Sequence, residues 1–363
     1  MKSVVGRTEN HYRRANVVPG VVAPREDGLR TRAADGTFEW WYFDGHLEDG
    51  SVLTIEFHTK PPYMSPKAPL TPFVLLTLTR ADGSRLEKTY VGQPSEFSAA
   101  TNTCDVRIGA NIFRGDQRGY VIHVEIDEVS VDLTLTPQVP PWRPESGFLY
   151  FGEHEEHYIA WLPVVARGSV EAALTIDGSA ARLSGLGYHD HNWGNIAPRK
   201  VLDHWYWGRA LLGEYTIVTL MFVVDAEYGG ATVPVLLIVK SGEIVAARVG
   251  DDGVDVIADD RSIHPDSGVP VDKRVRYSIE QDGATYAVTF RYRKDIFRLD
   301  FGAHGAYHRF LGDVELTETS DGQTSTRSGQ TVWELLYFGE RGHEPTAVMP
   351  AGDERPLLFG HQA

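Results

Sequence analysis

The sequence predicts an all-β protein built from two antiparallel barrels with few, short helices, and three observations predict it. Apolar and polar residues alternate with period two across most of the chain. Asp-Gly or Ser-Gly pairs punctuate the alternating runs and supply the positive φ of tight hairpin turns. No segment carries a sustained apolar stripe at helical spacing with capping residues at its start.

The strand candidates are residues 51–58, 73–80, 120–136, 170–176, 215–224, 233–239, 277–280, 286–293 and 331–338, all rich in β-branched and aromatic side chains. Turns are expected at Glu48-Asp49-Gly50, Ala81-Asp82-Gly83, Ile176-Asp177-Gly178, Lys240-Ser241-Gly242 and Gln281-Asp282-Gly283. A short helix near residues 154–157 is compatible with the pattern. Residues 137–147, with Pro140, Pro141 and Pro144, are too proline-rich for a central strand and read as an exposed loop or lid. The tail, 342–363, is expected to lie on the surface, docked by Leu357, Leu358 and Phe359.

A chain of 363 residues exceeds the usual size of one hydrophobic core. Each half is about as long as a barrel of eight to ten strands, so the expected domains are 1–195 and 196–363. A net charge of −15 without any Lys/Arg cluster argues against nucleic acid and anionic membranes as partners. The first 16 residues lack the apolar core of a signal peptide, and no run of about 18 apolar residues follows, so no stable membrane insertion and a cytoplasmic location are expected. The single cysteine, Cys104, excludes an internal disulfide framework and reads as a strand residue.

Chemistry-bearing residues concentrate in three runs. In Glu39-Trp40-Trp41-Tyr42-Phe43-Asp44-Gly45, an extended backbone sends Glu39, Trp41 and Phe43 to one face and Trp40, Tyr42 and Asp44 to the other. A Glu buried among indoles would hold its proton more tightly and serve as a donor near neutral pH. The competing reading has the indoles sealing a barrel end while Glu39 pairs with an arginine. The run Gly187-Tyr188-His189-Asp190-His191-Asn192-Trp193-Gly194-Asn195 offers His191 as a general acid or base, and Asn192 and Trp193 as ligand contacts. His189 and His191 alone are too few for a zinc site, so no metal and no cofactor are expected. Most of this run is expected to be a structured crossing between the barrels, hydrogen-bonding main-chain groups. A third cluster sets Trp205, Trp207 and Arg209 on one strand face, with Arg209 as partner to a buried carboxylate, and Trp333-Glu334 adds another indole and acid. Together these runs favour an aromatic-lined cavity for a hydrophobic small molecule.

At these residues the chain resembles the hydroxyneurosporene synthase or carotenoid 1,2-hydratase group, with AttH-like proteins and fungal lipocalin-like Diels-Alderases as relatives. The resemblance rests on residues 39–44, on Gly109-Ala110-Asn111-Ile112-Phe113-Arg114-Gly115, on 187–195 and on Trp333-Glu334-Leu335-Leu336-Tyr337-Phe338-Gly339. It implies two lipocalin-like β-barrel domains with a pocket in or between them, and a cyclase-type enzyme acting on a polyene intermediate of secondary metabolism. Glu39, Arg209 and His191 are then the expected catalytic residues, with Trp41, Tyr42, Asn192, Trp193, Trp205, Trp207, Trp333 and Glu334 around the substrate. Hydration of an alkene is the alternative outcome, and passive carriage of an apolar metabolite is the non-catalytic one.

Overall fold

A computed structural model describes residues 2–32, 37–61, 69–250, 253–302 and 305–339. The fold is all-β and lipocalin-like, and its contacts divide the chain into two compact units. One comprises Val4–Tyr150 and His154–Pro198, and the other runs from Arg199 onward with Met1–Ser3 and Phe151–Glu153.

In the first unit an antiparallel sheet runs from the edge strand Arg85–Val91 through Phe73–Thr79, Val52–His58, Phe38–Leu47, Ser179–Gly194, His157–Ile176, Val129–Pro137, Gly119–Ile126, Asn111–Asp116 and Cys104–Ile108 to Phe97–Ala99. Ser3–Val5 and Phe148–Phe151 join as short side strands, giving a 13-stranded sheet, more than the eight to ten expected from length. Among the described residues no ladder joins the two edge strands. The sheet curls instead, and Lys88 on one edge strand pairs with Glu128 at the far hairpin. Its inner face packs Trp41, Phe43, Leu53, Ile55, Phe57, Val106, Phe113, Ile122 and Leu133 as the core.

The second unit repeats the plan with nine strands, in the order Glu243–Val249, Thr232–Lys240, Tyr215–Val224, Leu202–Leu212, Gln323–Tyr337, Gly305–Ser320, Ala284–Gly302, Pro270–Gln281, Asp255–Ile263. Its core contains Tyr206, Ile217, Tyr277, Phe290, Phe310, Trp333 and Leu335.

The expected turns are all present. Gly50 and Gly83 have positive φ, as do both residues of Asp177-Gly178, Ser241-Gly242 and Asp282-Gly283, the conformation a two-residue hairpin requires. Several expected strands are longer, notably His157–Ile176, because burial on both sheet faces erases the alternation that marks a strand's ends. Residues 120–136 fold as a hairpin of two strands, not one, turning at Asp127, which adopts φ 52.

Three further expectations are corrected. Residues 154–157 form no helix, since His157 begins a strand. The helix observed is Glu9–Ala15, capped by the Thr8 hydroxyl, which accepts from the His11 N–H. The 137–147 segment is irregular but not a free lid: Arg143 and Ser146 are buried and anchor it. Residues 187–194 are not a crossing; they end the strand Ser179–Gly194, which is paired on both sides. The expected tail at 342–363 lies outside the described residues.

Candidate active site

The register of two neighbouring strands builds the site. Phe38–Leu47 pairs with Ser179–Gly194 so that Glu39 faces Trp193, Trp41 faces His191 and Phe43 faces His189. Directly opposed residues share a sheet face, so these six side chains point together into the barrel. Tyr42 and Asn192 fall on the opposite face with Asp190 and Tyr188, because the side-chain period is two.

Inside the barrel, Glu39 is fully buried and accepts four hydrogen bonds. The N–H of Arg30 and His191 Nε2 reach Oε1 at 2.6 and 2.8 Å, and the N–H and hydroxyl of Thr31 reach Oε2 at 2.7 and 2.6 Å. His191 Nδ1 donates to the Glu26 carbonyl at 3.2 Å, so one shared proton must also lie between Nε2 and Glu39. Trp41 stacks on this imidazole with centroids 4.7 Å apart and donates its Nε1–H to the Asp27 carbonyl. Glu39 therefore does not present a free carboxyl to a ligand as the sequence suggested. It fixes the main chain of Arg30 and Thr31.

Deeper in, Asp27 accepts from the Tyr120 hydroxyl at 2.8 Å and lies 3.1 Å from His189 Nε2, whose Nδ1 donates to the Tyr42 carbonyl. Burial alone would push His189 down, but the Asp27 carboxylate and these hydrogen bonds outweigh it and raise its pKa. Cys104, beside Asp27 and His189, is fully buried, and that burial raises its thiol well above the usual range, which makes it inert. On the opposite sheet face Asp190 is held by Trp161 Nε1, the Tyr188 hydroxyl and Asn192 Nδ2 at 2.7 to 2.8 Å. Burial pushes Asp190 up to about 6 against these three bonds.

Above Glu39 and His191 opens a cavity of about 210 Å³, lined by Arg14, Arg30, Arg143, Glu26, Ser146, Phe148, Tyr150, Tyr158 and Trp193, with Ala15 and Val17 at its edge. Its aromatic walls form one cluster: Phe148 packs against Tyr150, Tyr158 and Trp193 with centroids 5.0 to 5.6 Å apart. Arg143 is buried and locked, ion-paired with Glu26 and donating to the carbonyls of Val18, Val21 and Glu145. Tyr158 is a neutral phenol, its pKa raised by burial and by the Glu39 charge. Burial lowers that of the Arg30 guanidinium. The Ser146 hydroxyl is buried and, among the described residues, has no hydrogen-bond partner.

Of the residues singled out in the sequence, Trp193 lines this cavity, Glu39, His191 and Trp41 support it from below, and Tyr42 and Asn192 do not face it. Trp205, Trp207, Arg209, Trp333 and Glu334 belong to the second unit. Trp333 fills that unit's core, whereas Trp207 and Glu334 pair on the sheet face away from it, with Trp205 and Arg209. Sequence reasoning missed Glu26, Asp27, Arg30, Arg143, Ser146 and Tyr158. The one local signal was Pro24-Arg25-Glu26-Asp27-Gly28, a turn that carries two acids into the barrel.

A two-unit lipocalin-like fold with a polar and aromatic cavity in one barrel defines the class. The chain belongs to the Diels-Alderase-like family, whose sequence model matches residues 21–259. It is 26% identical over 315 residues to the quinolone epoxide rearrangement protein asqO of Emericella nidulans, covering 79% of this chain and 81% of asqO. It is 24% identical over 207 residues to hydroxyneurosporene dehydrogenase of Chlorobaculum tepidum, covering 48% and 54% of the two chains. The crystal structure of CghA superposes with a TM-score of 0.66 at 13% identity, over 94% of this chain and 96% of CghA.

Proposed function

We propose that this protein catalyses cyclisation or rearrangement of a compact, largely apolar intermediate of secondary metabolism in the first-barrel cavity. The observation that carries the reading is the juxtaposition of an aromatic wall with three donors, the Arg30 guanidinium, the Tyr158 phenol and the uncommitted Ser146 hydroxyl. Donors fixed in a partly buried site stabilise negative charge as it develops on a carbonyl or epoxide oxygen, and they reorganise little during the reaction. Phe148, Tyr150 and Trp193 hold the carbon skeleton folded, which supplies the proximity term of an intramolecular reaction. Arg30 and Tyr158 are the proposed catalytic groups. Glu39 and His191 are positioning residues that hold Arg30 through its main chain.

The cavity is smaller than the roughly 300–1,000 Å³ of typical ligand pockets, which favours a compact substrate over an extended carotenoid. A rearrangement like that named for asqO fits this donor set, because opening an epoxide needs a proton or strong hydrogen bond on its oxygen.

The test incubates the protein with a quinolone epoxide and, separately, with a linear polyene bearing a dienophile carbonyl, and reads product masses. An isomer of unchanged mass that disappears with Arg30→Met or Tyr158→Phe supports the proposal. A product heavier by one water assigns hydration instead. Unaltered substrate across both probes assigns a carrier.

A further inference from the structure

A second constellation lies in the other unit, in residues that no sequence motif marked. The turn between Asp255–Ile263 and Pro270–Gln281 carries His264 and Ser267, and the long hairpin of Ala284–Gly302 and Gly305–Ser320 carries Asp295 and His308. His308 Nδ1 lies 2.8 Å from Asp295 Oδ1, and its Nε2 lies 3.0 Å from Ser267 Oγ. His264 Nε2 lies 2.7 Å from Asp295 Oδ2, while its Nδ1 accepts the N–H groups of Asp266 and Ser267, both at 3.3 Å. The His308 side chain is fully buried, and Ser267 sits half-buried in the turn.

These contacts fix the tautomers. An ionised carboxylate only accepts, so each histidine turns an N–H toward Asp295. For His308 that places the proton on Nδ1 and leaves Nε2 as acceptor for the Ser267 hydroxyl, the arrangement of a general base beside a nucleophile. Burial pushes Asp295 up, but the hydrogen bonds from His308 and His264 outweigh it and hold the carboxyl below its ordinary value. The ligand atoms of His264, Asp295 and His308 also lie within 4.8 Å of one another, which is metal-like spacing. A metal on His264 Nε2 would move that proton to Nδ1, against two N–H donors already aimed there, so the geometry favours the nucleophile.

We propose that Ser267 is a nucleophile activated by His308 and oriented by Asp295, forming an acyl-transfer site for activated esters of apolar acids. Ser267 Oγ bonds to the acyl carbon as its proton passes to His308 Nε2. The tetrahedral centre then collapses and expels the phenolate or thiolate, which leaves with that proton. Water attacks the acyl-serine, again deprotonated by His308, and the carboxylic acid departs as the hydroxyl is restored. The N–H groups of Asp266 and Ser267 are already engaged by His264, so oxyanion support is modest and the site suits good leaving groups, not amides. Ile263 and Ile296, chain neighbours of His264 and Asp295, are 65% and 39% exposed and offer apolar surface to the acyl group.

The test treats the full chain with a fluorophosphonate and with p-nitrophenyl butyrate, and locates the adduct by peptide mass mapping. The expected result is one adduct, on Ser267, absent from Ser267→Ala, with labelling slowed about 10²-fold or more in His308→Asn. Circular dichroism of Ser267→Ala checks that the fold is kept. Ser267→Cys gives an independent readout: alkylation by iodoacetamide should depend on His308, and Cys104 is buried away from the reagent. No adduct, an adduct that survives Ser267→Ala, or rates indifferent to His308→Asn would overturn the proposal. Cyclisation in the first barrel should proceed unchanged in Ser267→Ala, so the two sites are tested separately.

Discussion

Hydrogen bonding decides the roles of Glu39 and Asp190. Glu39 spends both oxygens on main-chain and side-chain donors, so Glu39→Gln turns an amide NH₂ toward the main-chain N–H of Arg30 or of Thr31, which can only donate. That change should cost about 2–3 kcal/mol, read as a lower urea midpoint with an unchanged slope, and turnover should fall with it. Arg30→Met should instead abolish turnover while moving the midpoint little, which separates positioning from chemistry. Asp190 behaves differently because burial raises it from 3.8 to about 6. An acid with a raised folded pKa binds more protons folded than unfolded, so its contribution to stability declines as pH rises from about 4 to about 6. Asn at this position keeps the bonds from Trp161 and Tyr188, with the Asn192 amide turned over, and cannot titrate. Asp190→Asn should therefore remove that decline, measured as thermal midpoints across the same pH window.

At the scale of elements, the strand pair Phe38–Leu47 and Ser179–Gly194 aligns the acidic and imidazole runs, and the turn Pro24–Asp27 fills the space they leave. The loop 137–147 holds that turn in place through Arg143, whose guanidinium spans Glu26 and the carbonyls of Val18 and Val21. Arg143→Met leaves Glu26 buried without its cation. The expected loss is about 3–5 kcal/mol, observed by denaturant unfolding, together with loss of protection from hydrogen exchange at Val18 through Asp27. The sheet carries a tighter constraint at Gly185, where a Cβ would come within 2.3 Å of the His46 carbonyl oxygen, so the strands that present the histidines approach more closely there than a side chain allows.

For the whole molecule, two sheets of similar plan take different chemistry into their interiors. The first encloses paired acids and imidazoles beneath its cavity; the second packs an aromatic core around Trp333, with the His264, Asp295 and His308 cluster beside it. Trp193 lines the cavity and Trp333 does not, so an aromatic ligand should quench emission in the parent protein and in Trp333→Phe but much less in Trp193→Phe, in a fluorescence titration. The all-β class, the five Gly turns and the shared face of Glu39, Trp41 and Phe43 were legible in the sequence because alternation and turn chemistry are local properties. The sequence by itself also marked both runs that meet at the site. Which groups face the cavity was decided by the tertiary structure. Register placed His191 against Trp41, the turn at Glu26 and Asp27 entered the barrel from elsewhere in the chain, and Arg143 and Tyr158 arrived from other segments altogether. Such contacts depend on strand pairing and curvature over separations of more than a hundred residues, which no local periodicity records.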